Sequence, residues 1–214
     1  MTKSRSRDLY GSLYLFFARG LGGVESSTIE FGRRHPEGVW VTRVETGCGM
    51  CLHRPPLGPE AVYTKHPANA VEFAQTGGDG VFYSFLEADG TWGDDSPVVV
   101  TFPAGFAAEP SWIAGSCLRD FLRLGRWVGF FSLGGLVVAA AAGDRDAIRA
   151  LSAREHPEWV EAEQAQRLDR MAAEFKLEPL TNVAKRVVEW QERYRPLVRH
   201  PAGPVRVSRR SRDR

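Results

Sequence analysis

Apolar side chains recur at helical spacing at Leu9, Leu13, Phe16 and Phe17, which predicts a helix over residues 8–19, ended by Gly20, Gly22 and Gly23. Short strands are predicted at 28–31 (Thr28-Ile29-Glu30-Phe31) and 39–44, with Pro36, Pro55, Pro56, Pro59 and Pro67 breaking the chain between and after them. From residue 70 the pattern sharpens into a meander. Val71 and Phe73 alternate with Glu72, and Gly77-Gly78-Asp79-Gly80 makes a tight turn: its glycines supply positive φ and Asp79 can bond nearby amides. Residues 81–86 are apolar on both faces, as a central strand covered on both sides would be. Asp89-Gly90 signals a second turn, and 97–102 reads as a third strand bounded by Pro97 and Pro103.

Helical periods dominate after that. Ser111 is the predicted cap of a helix whose buried stripe is Ile113, Cys117, Leu118, Phe121 and Leu122, with Gly125 as its end. Residues 130–142 add a further apolar turn or helix. Asp144 caps a short helix through Ile148 and Leu151. Pro157 is placed in the first turn of the next helix, which runs through Leu168, Met171, Ala172 and Phe175. Thr181 caps the last, with Val183, Val187, Trp190 and Tyr194 at i, i+4, i+7 and i+11, and Pro196 stops it. The expected fold is therefore α+β: an antiparallel sheet from the first half packed against helices mostly from the second. Without a repeat or a linker before about residue 199, the expectation is one domain over 1–199 and a basic tail over 200–214.

Several of these pieces occur in a familiar order. Thr76-Gly77-Gly78-Asp79-Gly80, followed by Val81-Phe82-Tyr83-Ser84-Phe85-Leu86 and by Ser96-Pro97-Val98-Val99, resembles the sheet core of the SUKH superfamily. Leu118 to Gly125, Phe130-Phe131-Ser132-Leu133, and the stretch from Glu174 to Leu180 with the helix to Tyr194 fit the same pattern. The resemblance covers about residues 68–195 and leaves 24–67 unplaced. It implies a non-enzymatic α+β binding module. Many bacterial members are immunity proteins that neutralise toxins, and some eukaryotic ones are scaffolds of signalling and cell-wall synthesis.

Composition narrows the function classes. A hydrophobic fraction of 43% and a charged fraction of 25% over 214 residues exclude global disorder. A net charge of +2 gives no whole-protein field for nucleic acid, so no specific nucleic-acid partner is expected. The basic clusters sit at the ends, from Lys3 to Arg7 and from Arg206 to Arg214, and read as solvated tails. Three cysteines make no disulfide framework and point to a reducing, cytoplasmic setting; Asp8 and the aromatics after it argue against a secretory signal. The uncharged run 127–142 is shorter than the roughly 20 apolar residues of a membrane span, so it is assigned to the core and no membrane partner is expected.

Candidate chemistry is sparse. Cys48-Gly49-Met50-Cys51 with His53 has the spacing of half a zinc site or of a dithiol, which keeps a metal- or thiol-dependent enzyme as the alternative reading. A structural zinc site needs four ligands, no second Cys-x-x-Cys exists, and Arg54-Pro55-Pro56 cannot open a helix, so a loop with two incidental thiols and no cofactor is expected. His53 and His66, beside prolines, read as solvated loop histidines, and Cys117 as a core residue. The acidic loop after the central strand is the candidate partner surface. There Trp92 lies beside Asp94 and Asp95, and an aromatic anchor with an acidic rim suits a basic protein. Trp92 folded back as a lid on the core is the competing reading. The expected function is protein binding by occlusion, with a toxin as one class of partner; a regulatory scaffold with a basic docking tail is a third reading.

Overall fold

The computed structural model describes residues 8–20, 33–34, 40–57, 66–77, 79–87, 90–103 and 109–200. Its strands are β1 (Arg33–Arg34), β2 (Trp40–Glu45), β3 (Cys51–Leu57), β4 (Ala70–Gln75), β5 (Phe82–Leu86), β6 (Val98–Thr101) and β7 (Ser111–Gly115). They hydrogen-bond in sequence order, each antiparallel to the one before. A meander of this kind needs tight connections, and the β4–β5 link shows how one is made. Gly77 and Gly80 take φ of +110° and +74°, and Asp79 between them accepts the Val81 amide at 3.2 Å and the Thr76 hydroxyl. β5 is buried along its whole length between β4 and β6, as its two-sided apolar run predicts.

The predicted strand at 28–31, residue Gly78 and residue Asp89 of the second turn lie outside the described residues. Segment 24–67, which the family resemblance leaves unplaced, contributes β1, β2 (the strand expected at 39–44) and β3, which extend the sheet beyond β4. Pro55 and Pro56 do not break the chain but lie within β3. The β3–β4 register shifts between Leu52 and Leu57, so the ladder is interrupted where the two prolines have no N–H to donate.

The helices are α1 (Leu9–Ala18), α2 (Leu118–Val128), α3 (Phe130–Ala141), α4 (Arg145–Leu151), α5 (Ala162–Glu174) and α6 (Val183–Tyr194). Asp8 caps α1 by accepting the Gly11 amide at 2.9 Å, and Asp144 caps α4 by accepting the amides of Asp146 and Ala147. The helix expected from Ser111 begins only after Cys117, because residues 111–115 pair with β6 as β7, Thr101 opposite Ser111 and Val100 opposite Trp112. Pairing satisfies an exposed edge, and it overrides a helical period that fits the same residues. Gly125 does not end α2. A Cβ there would collide with the Phe130 ring, so the glycine permits α2 and α3 to touch, and the chain turns at Gly129 (φ +72°). The two helices meet at 104°, and among the described residues no single helix is long and apolar enough to cross a membrane.

Pro157 lies upstream of α5, in a turn closed by the Val160 amide on its carbonyl at 2.9 Å. Thr181 does not cap α6. The cap position is Asn182, in left-handed backbone (φ +54°) without a side-chain bond, while the Thr181 carbonyl accepts Nε of Arg186 at 3.1 Å. Val183, Val187 and Trp190 are buried and Tyr194 half-buried, as the period predicts. A 3-10 turn, Arg195–Leu197, follows with Pro196 inside it. Beyond it the Ala68 amide bonds the Arg199 carbonyl at 2.7 Å, tying the end of the described chain to the start of β4.

Aromatic side chains join sheet to helices. Phe73 and Phe85 stack with centroids 4.3 Å apart, Tyr10 meets both edge-on, and Phe121 packs against Phe73 and Tyr83. α1 and α2 therefore cover the same side of β4 and β5. On α2, Arg119, Arg123 and Arg126 (at i, i+4 and i+7) reach the segment after α5. Arg119 donates to the Phe175 carbonyl at 2.9 Å, Arg123 to those of Glu178 (2.7 Å) and Pro179 (3.3 Å), and Arg126 to that of Leu177. Carbonyls leaving a helix C-terminus lack partners within it, and three guanidinium groups in a row supply them.

Candidate functional site

The loop carrying Trp92 is held from three sides. Within it, the Gly93 amide donates to Ser96 Oγ at 3.0 Å and the Ser96 amide to the Gly93 carbonyl at 2.9 Å. The Asp94 carboxylate accepts the backbone amides of Leu9 and Tyr10 (2.9 Å to Tyr10), so it sits on the N-terminus of α1, where a negative charge is favoured. The Asp94 carbonyl accepts the Leu118 amide at 2.9 Å, which anchors the loop to the start of α2 as well. Partial burial pushes the Asp94 carboxyl above the ordinary carboxylate range, against the two amides that favour its ionised form; Asp8 and Asp95 push it the same way as burial.

Trp92 is 44% exposed, and its ring lies nearly parallel to Phe85, 13° apart in plane with centroids at 5.9 Å. The indole thus rests on the aromatic core with one face, as the lid reading has it, and keeps much of its surface in solvent. A cleft of about 390 Å³ opens beside it, bounded by Trp92, Phe85, Tyr10, Asp8, Asp94 and Arg54. Arg54, exposed on β3, holds its guanidinium 5.4 Å from the centre of the Tyr14 ring. Asp95 is exposed and makes no hydrogen bond or ion pair among the described residues. The two acidic residues expected to form one rim are thus physically different: Asp94 is a structural anchor, and Asp95 is free to meet a partner.

The thiols stand elsewhere. Cys48 lies in the β2–β3 turn, where its amide donates to Thr46 Oγ1 at 3.0 Å and its carbonyl accepts the Phe130 amide at 2.8 Å. It is buried, and burial pushes its thiol up to about 12. Cys51, half-buried at the start of β3, is shifted upward by burial and by Glu45. Nucleophilic and ligating sulfur is the thiolate, so both environments oppose the activated form. Cys117, half-buried at the cap position of α2 and not within the helix, is raised by burial too. No group of three His, Cys, Asp or Glu among the described residues could hold a metal ion.

Both histidines expected in solvent are buried, and the two lie among polar groups that the sequence reading missed. His53 is fully buried on β3, with Nδ1 3.1 Å from Glu72 Oε1 on β4, but the contact lacks hydrogen-bond geometry and neither ring nitrogen has a hydrogen-bond partner among the described residues. His66 Nδ1 lies 3.0 Å from the Pro67 carbonyl and Nε2 2.9 Å from Ser84 Oγ. A carbonyl only accepts, so Nδ1 carries the proton and Nε2 accepts the Ser84 hydroxyl. Glu72 and Ser84 are cross-strand partners on β4 and β5, which gathers His53 of β3 and His66 of the segment before β4 into one group with them. The available signal was a glutamate between Val71 and Phe73 and a serine in the middle of an apolar strand. Ser84 and His66 have the polarity of a nucleophile and its base, but they are sealed in the interior, Ser84 with no exposed surface. Comparison with protein-family models, with curated proteins and with solved structures finds no match for the chain.

Proposed function

We propose that this chain is a non-enzymatic protein-binding module of the SUKH type, which works by occlusion as an immunity protein does against a toxin. The observation that carries the reading is Trp92: a large aromatic side chain, 44% exposed, on a loop immobilised by both α1 and α2. Interfaces draw most of their energy from such residues when they are rigid before the partner arrives. The order of the turn at 76–80, the strands after it and the arginine-bearing helix supports the SUKH assignment. The raised thiols argue against the metal- or thiol-dependent alternative. We place the activity in the cytoplasm, a reading supported by the three unbridged cysteines.

The test is co-purification of the tagged full chain from its native host, followed by titration of the purified partner against wild type and Trp92→Ala. Truncating a central anchor costs about 2 kcal/mol or more, so the dissociation constant should rise at least about tenfold in a variant that is still fully folded at the titration temperature, although losing the contact with Phe85 lowers its melting temperature. Equal affinity of the two proteins removes the loop from the interface. Turnover of a substrate, lost on replacing one side chain in a folded variant, overturns the binding-module reading itself.

A further inference from the structure

We infer that the cleft beside Trp92 seats a cationic side chain, an arginine or lysine of the partner protein, against the indole and next to the acidic pair Asp94-Asp95. This rests on the protein-binding reading and specifies the chemistry it uses. An indole has a negative face and attracts a cation placed over it, more strongly than tyrosine or phenylalanine does. Phe85 stacks on one face of Trp92 at 13° and holds the ring in place, and both rings line the cleft, so a ligand entering it meets a fixed aromatic wall.

The charges around the cleft favour the same occupant. Asp8 and Asp94 line it, and exposed Asp95 adjoins Asp94, against the single guanidinium of Arg54 among the lining residues. The N-terminus of α1 offsets part of the charge of Asp8 and Asp94, whose oxygens accept its first amides. Asp95 carries no such compensation, because no described group pairs with it. An incoming cation therefore finds an aromatic face and two carboxylates fixed in place, with the exposed Asp95 adjoining them in sequence outside the lining. A cleft of about 390 Å³ has room for one long side chain, and its aromatic walls suit the methylene stem of arginine or lysine.

The probes are N-acetyl-arginine methylamide, the corresponding lysine compound, and the citrulline compound, which keeps the shape of arginine without its charge. Each is titrated into the full-length protein while the indole N–H resonance of Trp92 is followed, assigned by its disappearance in Trp92→Phe. Arginine and lysine should shift the resonance saturably, and citrulline should bind at least about tenfold more weakly. Added salt and Asp95→Asn should each weaken arginine binding, while Arg54→Gln, which removes the opposing cation, should tighten it. Trp92→Phe retains an aromatic face and, followed through neighbouring amides, should bind arginine more weakly than wild type yet measurably; Trp92→Ala should not bind.

Citrulline binding as tightly as arginine overturns the inference and leaves protein binding intact, with a neutral anchor in the cleft. A Trp92 resonance unmoved by all three probes also overturns it. If the natural partner is then equally indifferent to Trp92→Ala, the docking site itself is misplaced, so the two failures are told apart.

Discussion

Nδ1 of His53 lies 3.1 Å from Oε1 of Glu72, two ionisable side chains on adjacent strands that are 0% and 5% exposed. Neither residue type is easily buried without a partner, so each makes the burial of the other tolerable. Glu72→Ala should strip the buried imidazole of its charged neighbour and destabilise the fold by about 2–4 kcal/mol. His53→Ala should cost a similar amount, and the double variant less than the sum of the two. Urea denaturation of the four proteins measures the coupling, and strict additivity would show that the contact carries no energy.

The neighbouring His66 predicts how stability varies with pH. Burial depresses its pKa below the ordinary 6.5; Glu72 and the Pro67 carbonyl pull it back only in part. The unfolded chain then takes up a proton near pH 6.5 that the folded chain refuses. Stability from this residue is complete above about pH 6.5 and is lost as pH falls toward the depressed folded value. Melting temperature recorded from pH 8 to pH 5 should fall at the acid end, and His66→Gln should flatten that slope while lowering the plateau. An identical slope in the variant would assign the acid sensitivity to other groups.

Both histidines show where the sequence was hardest to read. The division into a strand half and a helix half was legible, as were β4, β5 and β6, the Asp144 cap and the Val183, Val187, Trp190 stripe, because each rests on local spacing. β7 was not: Ser111-Trp112-Ile113-Ala114-Gly115 fits either period, and the choice is made by the free edge of β6. β3 was hidden by its own prolines, and with it the burial of His53. Asp94 read as a surface acid because its partners, the amides of Leu9 and Tyr10, lie 85 and 84 residues away. Trp92 read either as an exposed anchor or as a lid folded back on the core, and nothing local indicated that Phe85 would be the residue it covers.

Cys48 should be inert for a specific reason. With its thiol pushed up to about 12 and no exposed surface, Cys48 presents almost no accessible thiolate at pH 8. Native protein treated with iodoacetamide and analysed by mass spectrometry should be alkylated at Cys51 and Cys117 well before Cys48, which should react only on unfolding. Elemental analysis should find no stoichiometric zinc. Rapid native labelling of Cys48, or about one zinc per chain, would restore the thiol or metal alternative.

Arg123 serves two carbonyls at once, those of Glu178 and Pro179, and also meets Asp120 at 3.3 Å. Arg123→Met keeps the aliphatic stem and removes the donors, so the loss should reflect the hydrogen bonds. A cost of about 1–3 kcal/mol is expected, with faster hydrogen exchange in the segment joining α5 to α6. Arg149→Met is the control: its ion pair with Asp146 is fully in solvent, and the melting temperature should barely move.

Asp94 and Asp95 are adjacent in sequence and should separate cleanly by experiment. Asp94 accepts two amides at the start of α1 and so fills a capping role from a distant loop. Asp94→Ala should therefore cost about 1–2 kcal/mol, comparable with losing a helix cap, and release the Trp92 loop from α1. Its raised carboxyl adds a check of sign. An acid whose folded-state pKa lies above the unfolded one stabilises below the unfolded value and loses that contribution as pH rises through the folded value, because the folded chain holds its proton longer. Wild type should thus lose a small part of its advantage over Asp94→Ala as pH rises through the carboxylate range. Asp95→Ala, exposed and unpaired, should leave the melting temperature within error and act only on partner binding. Loss of stability in Asp95→Ala, or its absence in Asp94→Ala, would reverse the roles assigned to these two carboxylates.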